Sequence, residues 1–149
     1  MYVSEHIKNE KVDWEKFVVF SSNYLITPAI YVKFRKSGID SLLPAELHDY
    51  LKEIHNLSFS RNQMLLEQIR EICDLLAAND IYPVLLKGAG NLLDDLYQDI
   101  GERIMGDIDI LVKEDEYHRA AEIALNFGYQ VMESEYFYDD VDILKHYPR

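Results

Sequence analysis

The chain is short of cysteine, of long apolar runs and of basic residues, and each shortage removes a class of protein. A single cysteine, Cys73, excludes an internal disulfide and any zinc site built from several thiolates. Its setting, Ile72-Cys73-Asp74-Leu75-Leu76, is that of a buried helix residue rather than a nucleophile. No stretch approaches the roughly 18 consecutive apolar residues of a membrane span. The first residues, Met-Tyr-Val-Ser-Glu-His, lack the basic start and apolar stretch of a secretory signal. The expectation is a soluble cytoplasmic protein. Basic residues number 15 against 27 acidic ones, a net charge of −12. The deficit lies in the second part of the chain: residues 1–87 carry 12 acids and 10 bases, residues 88–149 carry 15 acids and 5 bases. No basic patch with interleaved aromatics offsets this, so long nucleic acid is a poor partner. Most of the acidity reads as solubilising charge.

What the chain does have is apolar material: 48% of its 149 residues are hydrophobic, sufficient for one core. Residues 1–80 read as a helical region. Asp13 caps a helix running to about Asn23, with Trp14, Phe17, Val18 and Leu25 or its neighbours on its apolar side. Thr27-Pro28 is a cap followed by proline, and Gly38 stands where that helix stops. From Pro44 to Asn79 the positions Leu47, Leu51, Ile54, Leu65, Ile69, Ile72, Cys73 and Leu76 recur at helical steps, with a break expected near 56–60 and Ser60 capping the second half. Lys33, Arg35 and Lys36 sit at a helix C-terminus, which favours cations. His48 and His55 share a helix face without a third ligand and read as solvated surface. Asp94, Asp95 and Asp99 do not match a calcium loop.

The pattern changes at Tyr82-Pro83. Val84-Leu85-Leu86 is expected to be a buried strand, residues 88–95 a helix containing Leu92 and Leu93, 98–106 a loop and 107–112 a second strand. A helix over 114–127 would turn Tyr117, Ala120, Ala121 and Leu125 inward and end at Gly128, before a third strand over 129–132. The acidic tail after it is the least readable stretch.

Asp107 and Asp109, in Gly106-Asp-Ile-Asp-Ile-Leu-Val112, carry the strongest chemical signal. Within a strand they share a face, opposite Ile108 and Ile110. Their Cα atoms would stand about 6.5 to 7 Å apart. Like charges so close repel unless solvated or bridged, and an oxygen-seeking cation such as Mg²⁺ or Mn²⁺ would remove the conflict. A solvated strand face is the competing account. Upstream, Lys87-Gly88-Ala89-Gly90 follows a strand, a setting in which backbone amides can approach a phosphate.

Strand, glycine turn, helix, loop and a strand bearing Asp-x-Asp is an order that resembles the polymerase-beta-like nucleotidyltransferase superfamily. Pro83-Val-Leu-Leu-Lys-Gly-Ala89, Tyr97, Arg103, Met105-Gly-Asp-Ile-Asp-Ile-Leu-Val112 and Phe127-Gly-Tyr129 are similar to an uncharacterised nucleotidyltransferase family with a Leu-Lys-Gly motif. The likeness covers roughly residues 80–130 and implies an α/β (α+β) fold with a mixed sheet. The nucleotidyltransferase core would occupy 81–149, behind the helical region, and be truncated at its C-terminal end. It further implies transfer of a nucleotidyl group from a nucleoside triphosphate to a small-molecule or protein acceptor. Asp107 and Asp109 would be catalytic and hold Mg²⁺ or Mn²⁺, while Lys87, Gly88, Ala89, Gly90 and Arg103 would bind the nucleotide's phosphates. Ala89 departs from the serine usual in the superfamily, so a hydroxyl contact is missing and Lys87 would take over some anchoring. Arg103 reads equally as an ion-pair partner of Asp107 or Glu102. The third carboxylate of such enzymes has no counterpart in the family's apolar-acid-apolar-His setting; Glu133, Glu135, Asp140 and Asp142 are the substitutes at hand. The alternative is a non-catalytic nucleotide-binding or protein-interaction module with the same fold.

Overall fold

The structure, a computed structural model, describes Glu5, Ile7 and residues 12–94 and 96–131. Helix α1, Trp14–Asn23, begins where the Asp13 carboxylate accepts the Lys16 amide at 3.1 Å, as the cap signal predicts. That bond also holds the Asp13 carboxyl below its ordinary pKa. Helix α2, Thr27–Lys36, takes Pro28 in its first turn. Thr27 is its first residue, not its cap, and its hydroxyl instead donates to Ser21 Oγ at 3.3 Å. The chain leaves α2 through Gly38 at φ +67°. Leu25, expected on the apolar side of α1, is exposed in the turn between the two helices.

Helix α3, Ala45–Ala77, follows Pro44 and runs unbroken for 33 residues. The break expected at 56–60 is absent, because Ser58 turns its hydroxyl to the carbonyl of Arg103 at 3.1 Å rather than to the backbone of its own helix. Its buried stripe is Leu47, Leu51, His55, Ser58, Asn62, Leu65, Ile69, Ile72 and Leu76. The steps between them are all three or four, which keeps one face turned inward. Three apolar clusters line that face in succession. Tyr31, Leu47 and Leu51 gather Trp14, Phe17 and Val18; Leu65 and Ile69 meet Ala89, Leu92 and Met105; Ile72 and Leu76 meet Ile81 and Ala120. The second and third clusters therefore join side chains from both sides of residue 80.

Strand β1, Val84–Leu85, pairs antiparallel with β2, Ile110–Leu111, in the register Val84 with Leu111 and Leu85 with Ile110. Helix α4, Lys87–Leu93, follows β1, and α5, Tyr117–Phe127, follows β2 after a 3₁₀ turn, Glu114–Glu116. The fold is thus α+β, mostly helical, and among the described residues the sheet has two antiparallel strands. The second strand is shorter than the expected 107–112, so Asp107 and Asp109 precede it. Val84 and Leu86 are exposed rather than buried. Residues 129–131 form no strand, because Tyr129 instead packs on the third cluster and donates its hydroxyl to Glu71 at 3.2 Å; Met132 lies outside the described residues. Helix α5 stops at Gly128, φ +117°, as expected, but is rotated from the expected phase. Ala120, Ile123 and Ala124 meet the core, while Tyr117, Ala121 and Leu125 are exposed. No helix of the described residues is long and apolar enough to cross a membrane.

Candidate functional site

The glycine turn and the Asp-x-Asp segment meet at the open end of the strand pair. The Leu86 amide donates to the Asp109 carbonyl at 2.9 Å, one step beyond the assigned ladder. The next residue, Lys87, then places its Nζ 2.9 Å from Asp109 Oδ1. Lys87 adopts φ +49°, a region that side-chain-bearing residues enter rarely, so its backbone is held in place by what surrounds it. Gly90 explains part of that constraint. A Cβ there would lie 2.9 Å from the Leu85 carbonyl oxygen, so only glycine lets α4 start this close to β1.

The two aspartates are not equivalent. Asp109 is half-buried and paired with Lys87; Asp107 is exposed and its carboxylate has no hydrogen-bond or ion-pair partner among the described residues. The like-charge conflict expected of the pair is therefore eased by Lys87 on one side and by water on the other. Gly88 and Ala89 are buried. A Cβ on Gly88 would stand 3.2 Å from Met105 Cγ and 3.4 Å from Arg103 Nε, which puts the Arg103 side chain directly behind the turn. Neither acid expected to pair with Arg103 does so. Glu102 meets Lys33 at 3.6 Å, and Arg103 reaches the Tyr97 hydroxyl at 3.4 Å while its buried Nε has no partner among the described residues.

Sequence reasoning missed the residues that hold this loop. From the buried side of α3, Asn62 donates to the carbonyls of Ile100 and Arg103, the latter at 2.7 Å, beside the Ser58 bond. The neighbouring residue Arg61 grips two successive carbonyls, Nε to Met105 at 2.7 Å and Nη2 to Gly106 at 2.8 Å, immediately before Asp107. His55, expected at the surface, is buried with Nε2 3.0 Å from Asp99 Oδ1, and the same carboxylate oxygen accepts the Gly101 amide at 2.9 Å. The signal was present: polar residues at 55, 58 and 62 on a core-facing stripe require buried partners. Lys36 likewise reaches across to Gln98 at 3.1 Å, and Arg35 lies over the Tyr31 ring.

Beside Asp107 an open groove of about 820 Å³ runs between α3 and residues 106–108. Leu57, Arg61, Met64, Leu65, Gln68 and Glu71 form its helical wall, joined by Ser60 and Glu67.

With this geometry in view, the comparison with known families is decisive: a family model described as uncharacterised nucleotidyltransferase matches residues 10–148. The chain belongs to that nucleotidyltransferase family. No curated protein and no solved structure matches it. For a nucleotidyltransferase, the question at Asp107 and Asp109 is whether they suit a metal ion. Among the described residues no three His, Cys, Asp or Glu side chains gather into a metal cage. Carboxylate oxygens are nonetheless the donor type that Mg²⁺ takes, one or two of them being completed by water and substrate phosphates. Glu133, Glu135, Asp140 and Asp142 lie outside the described residues.

Proposed function

We propose that this nucleotidyltransferase family member is a metal-dependent enzyme of the polymerase-beta-like kind. It would transfer a nucleotidyl group from a nucleoside triphosphate to a small-molecule or protein acceptor. The observation that carries the reading is the meeting of Lys87 and Asp109 at 2.9 Å, which joins two motifs separated by 22 positions into one site. Asp107 and Asp109 would hold Mg²⁺ or Mn²⁺, which when bound would supply positive charge against that of the triphosphate. Lys87 pairs with Asp109 and would supply a positive charge to the phosphates. Gly88, Ala89 and Gly90 shape the turn that carries Lys87, and the Arg103 guanidinium behind Gly88 adds positive potential beneath it. In the reaction an acceptor hydroxyl oxygen bonds to the α-phosphorus as the bond from that phosphorus to the β-bridging oxygen breaks. Pyrophosphate leaves, and the hydroxyl proton passes to a carboxylate or to water.

A second reading is nucleotide binding without transfer. Both readings predict that Mg²⁺ with a nucleoside triphosphate raises the melting temperature, since a ligand at a hundredfold its Kd stabilises the native state by roughly 2.7 kcal/mol. Asp107→Asn should abolish that increment. No metal-linked shift with any of the four common triphosphates would remove the nucleotide site from both readings. Pyrophosphate release in the presence of a competent acceptor would then separate transfer from binding.

A further inference from the structure

The groove beside Asp107 belongs neither to the glycine turn nor to the core, and its chemistry is mixed in an ordered way. Along α3 the residues 57, 61, 64, 68 and 71 follow one another at steps of three and four, so they share a face. From Leu57 to Glu71 that face is about 21 Å long. Its first part is apolar and open to water: Leu57 is 61% exposed and Met64 67%. Its far part carries Glu67, Gln68 and Glu71, and Asp107 stands on the opposite rim. Arg61 is the one cation among the lining residues, and two of its N–H groups already serve the carbonyls of Met105 and Gly106. Three carboxylates against one engaged guanidinium repel a triphosphate and attract a cation. The volume suits a small molecule.

We propose that this groove is the acceptor subsite and that it takes a small amphipathic cation, an amino alcohol with an apolar stem. The stem lies over Met64, the ammonium is held by Glu67 and Glu71, and the hydroxyl is brought toward Asp107. The assignment of the ligand as acceptor rests on the nucleotidyltransferase reading; the binding of the cation does not.

The test uses the full chain in EDTA without nucleotide and three probes of matched length: aminooctanol, octanediol and hydroxyoctanoate. Titration calorimetry and the Met64 methyl resonance report binding. Aminooctanol should bind saturably and shift the Met64 signal, octanediol should bind more weakly and hydroxyoctanoate not at all. Joint replacement Glu67→Gln and Glu71→Gln should weaken aminooctanol about fivefold to tenfold, the loss of two solvent-exposed ion pairs. Met64→Lys, at a side chain that faces water, should weaken it as well. Equal affinity for the three probes, no binding of aminooctanol, or binding indifferent to these replacements would overturn the proposal. A parallel melting series with Mg²⁺ and ATP keeps the two ideas apart. A lost nucleotide shift beside intact aminooctanol binding sinks the acceptor role and the nucleotidyltransferase reading together, leaving a cation site. An intact shift beside absent aminooctanol binding sinks the groove alone.

Discussion

At the scale of single residues, the site depends on a side chain that never touches the chemistry. Arg61 fixes the carbonyls of Met105 and Gly106, and the next residue is Asp107. A guanidinium can hold two carbonyls at once because its donors are fixed in one plane; a lysine at the same place can direct only a point charge. Arg61→Ala is therefore expected to cost about 1–3 kcal/mol of stability in EDTA, for two lost charge-assisted hydrogen bonds, one of them at an exposed carbonyl. It should also shrink the melting shift produced by Mg²⁺ with ATP, with Arg61→Lys intermediate. An undiminished shift in Arg61→Ala would mean that the loop keeps its shape without the clamp. Asp107, Asp109 and Lys87 stood out in the sequence because their spacing along the chain is itself the signal. Arg61 and His55 did not, because their partners lie 44 positions away. A buried histidine and a surface histidine look alike until the carboxylate opposite, here Asp99, is known.

At the scale of elements, local chemistry set the ends and tertiary chemistry set the middles. The Asp13 cap and the left-handed Gly128 follow from neighbours within a turn, and both are where the sequence places them. The continuity of α3 across 56–60 was hidden because Asn56, Ser58 and Ser60 are residues that also favour helix ends. Helix α5 was misphased because its apolar residues cover more than one face, and only contact with Ile72, Leu76 and Ile81 selects Ala120. The contact between α4 and β1 offers a sharp test. Gly90→Ala would press a methyl group to 2.9 Å from the Leu85 carbonyl, so a loss of about 1–3 kcal/mol is expected in chemical denaturation. Gly106→Ala meets nothing within 4 Å and should change stability by well under about 1 kcal/mol in the same assay. Equal effects of the two substitutions would show that α4 does not sit against β1 in this way.

At the scale of the whole molecule, alkali should loosen the protein through two groups, Cys73 on α3 and Tyr129 bonded to that helix through Glu71. Burial pushes the Cys73 thiol above its ordinary pKa, helped by Asp74. Burial also raises the Tyr129 phenol, with further contributions from its hydrogen bond to Glu71 and from that carboxylate's charge. Both groups keep their protons longer folded than unfolded, so this stability is complete below the unfolded values near 9.0 and 10.0 and is lost as pH rises through the folded ones. Denaturation midpoints measured from about pH 8 to about pH 11 should fall, and Tyr129→Phe should flatten the upper part of the decline. A decline unchanged by Tyr129→Phe would assign it to other groups. The unbroken course of α3 has a consequence for how this chain can vary in length. Each residue added to a helix turns everything beyond it by about 100° and advances it about 1.5 Å. One insertion between Leu51 and Leu65 would swing Leu65, Ile69, Ile72 and Leu76 away from their partners while Leu47 and Leu51 stayed in place. Asn62 and Arg61 would turn with them and let go of the loop before Asp107. Related chains can change residues freely on the outer side of that segment, yet a gain or loss of one position there is the alteration the architecture tolerates least.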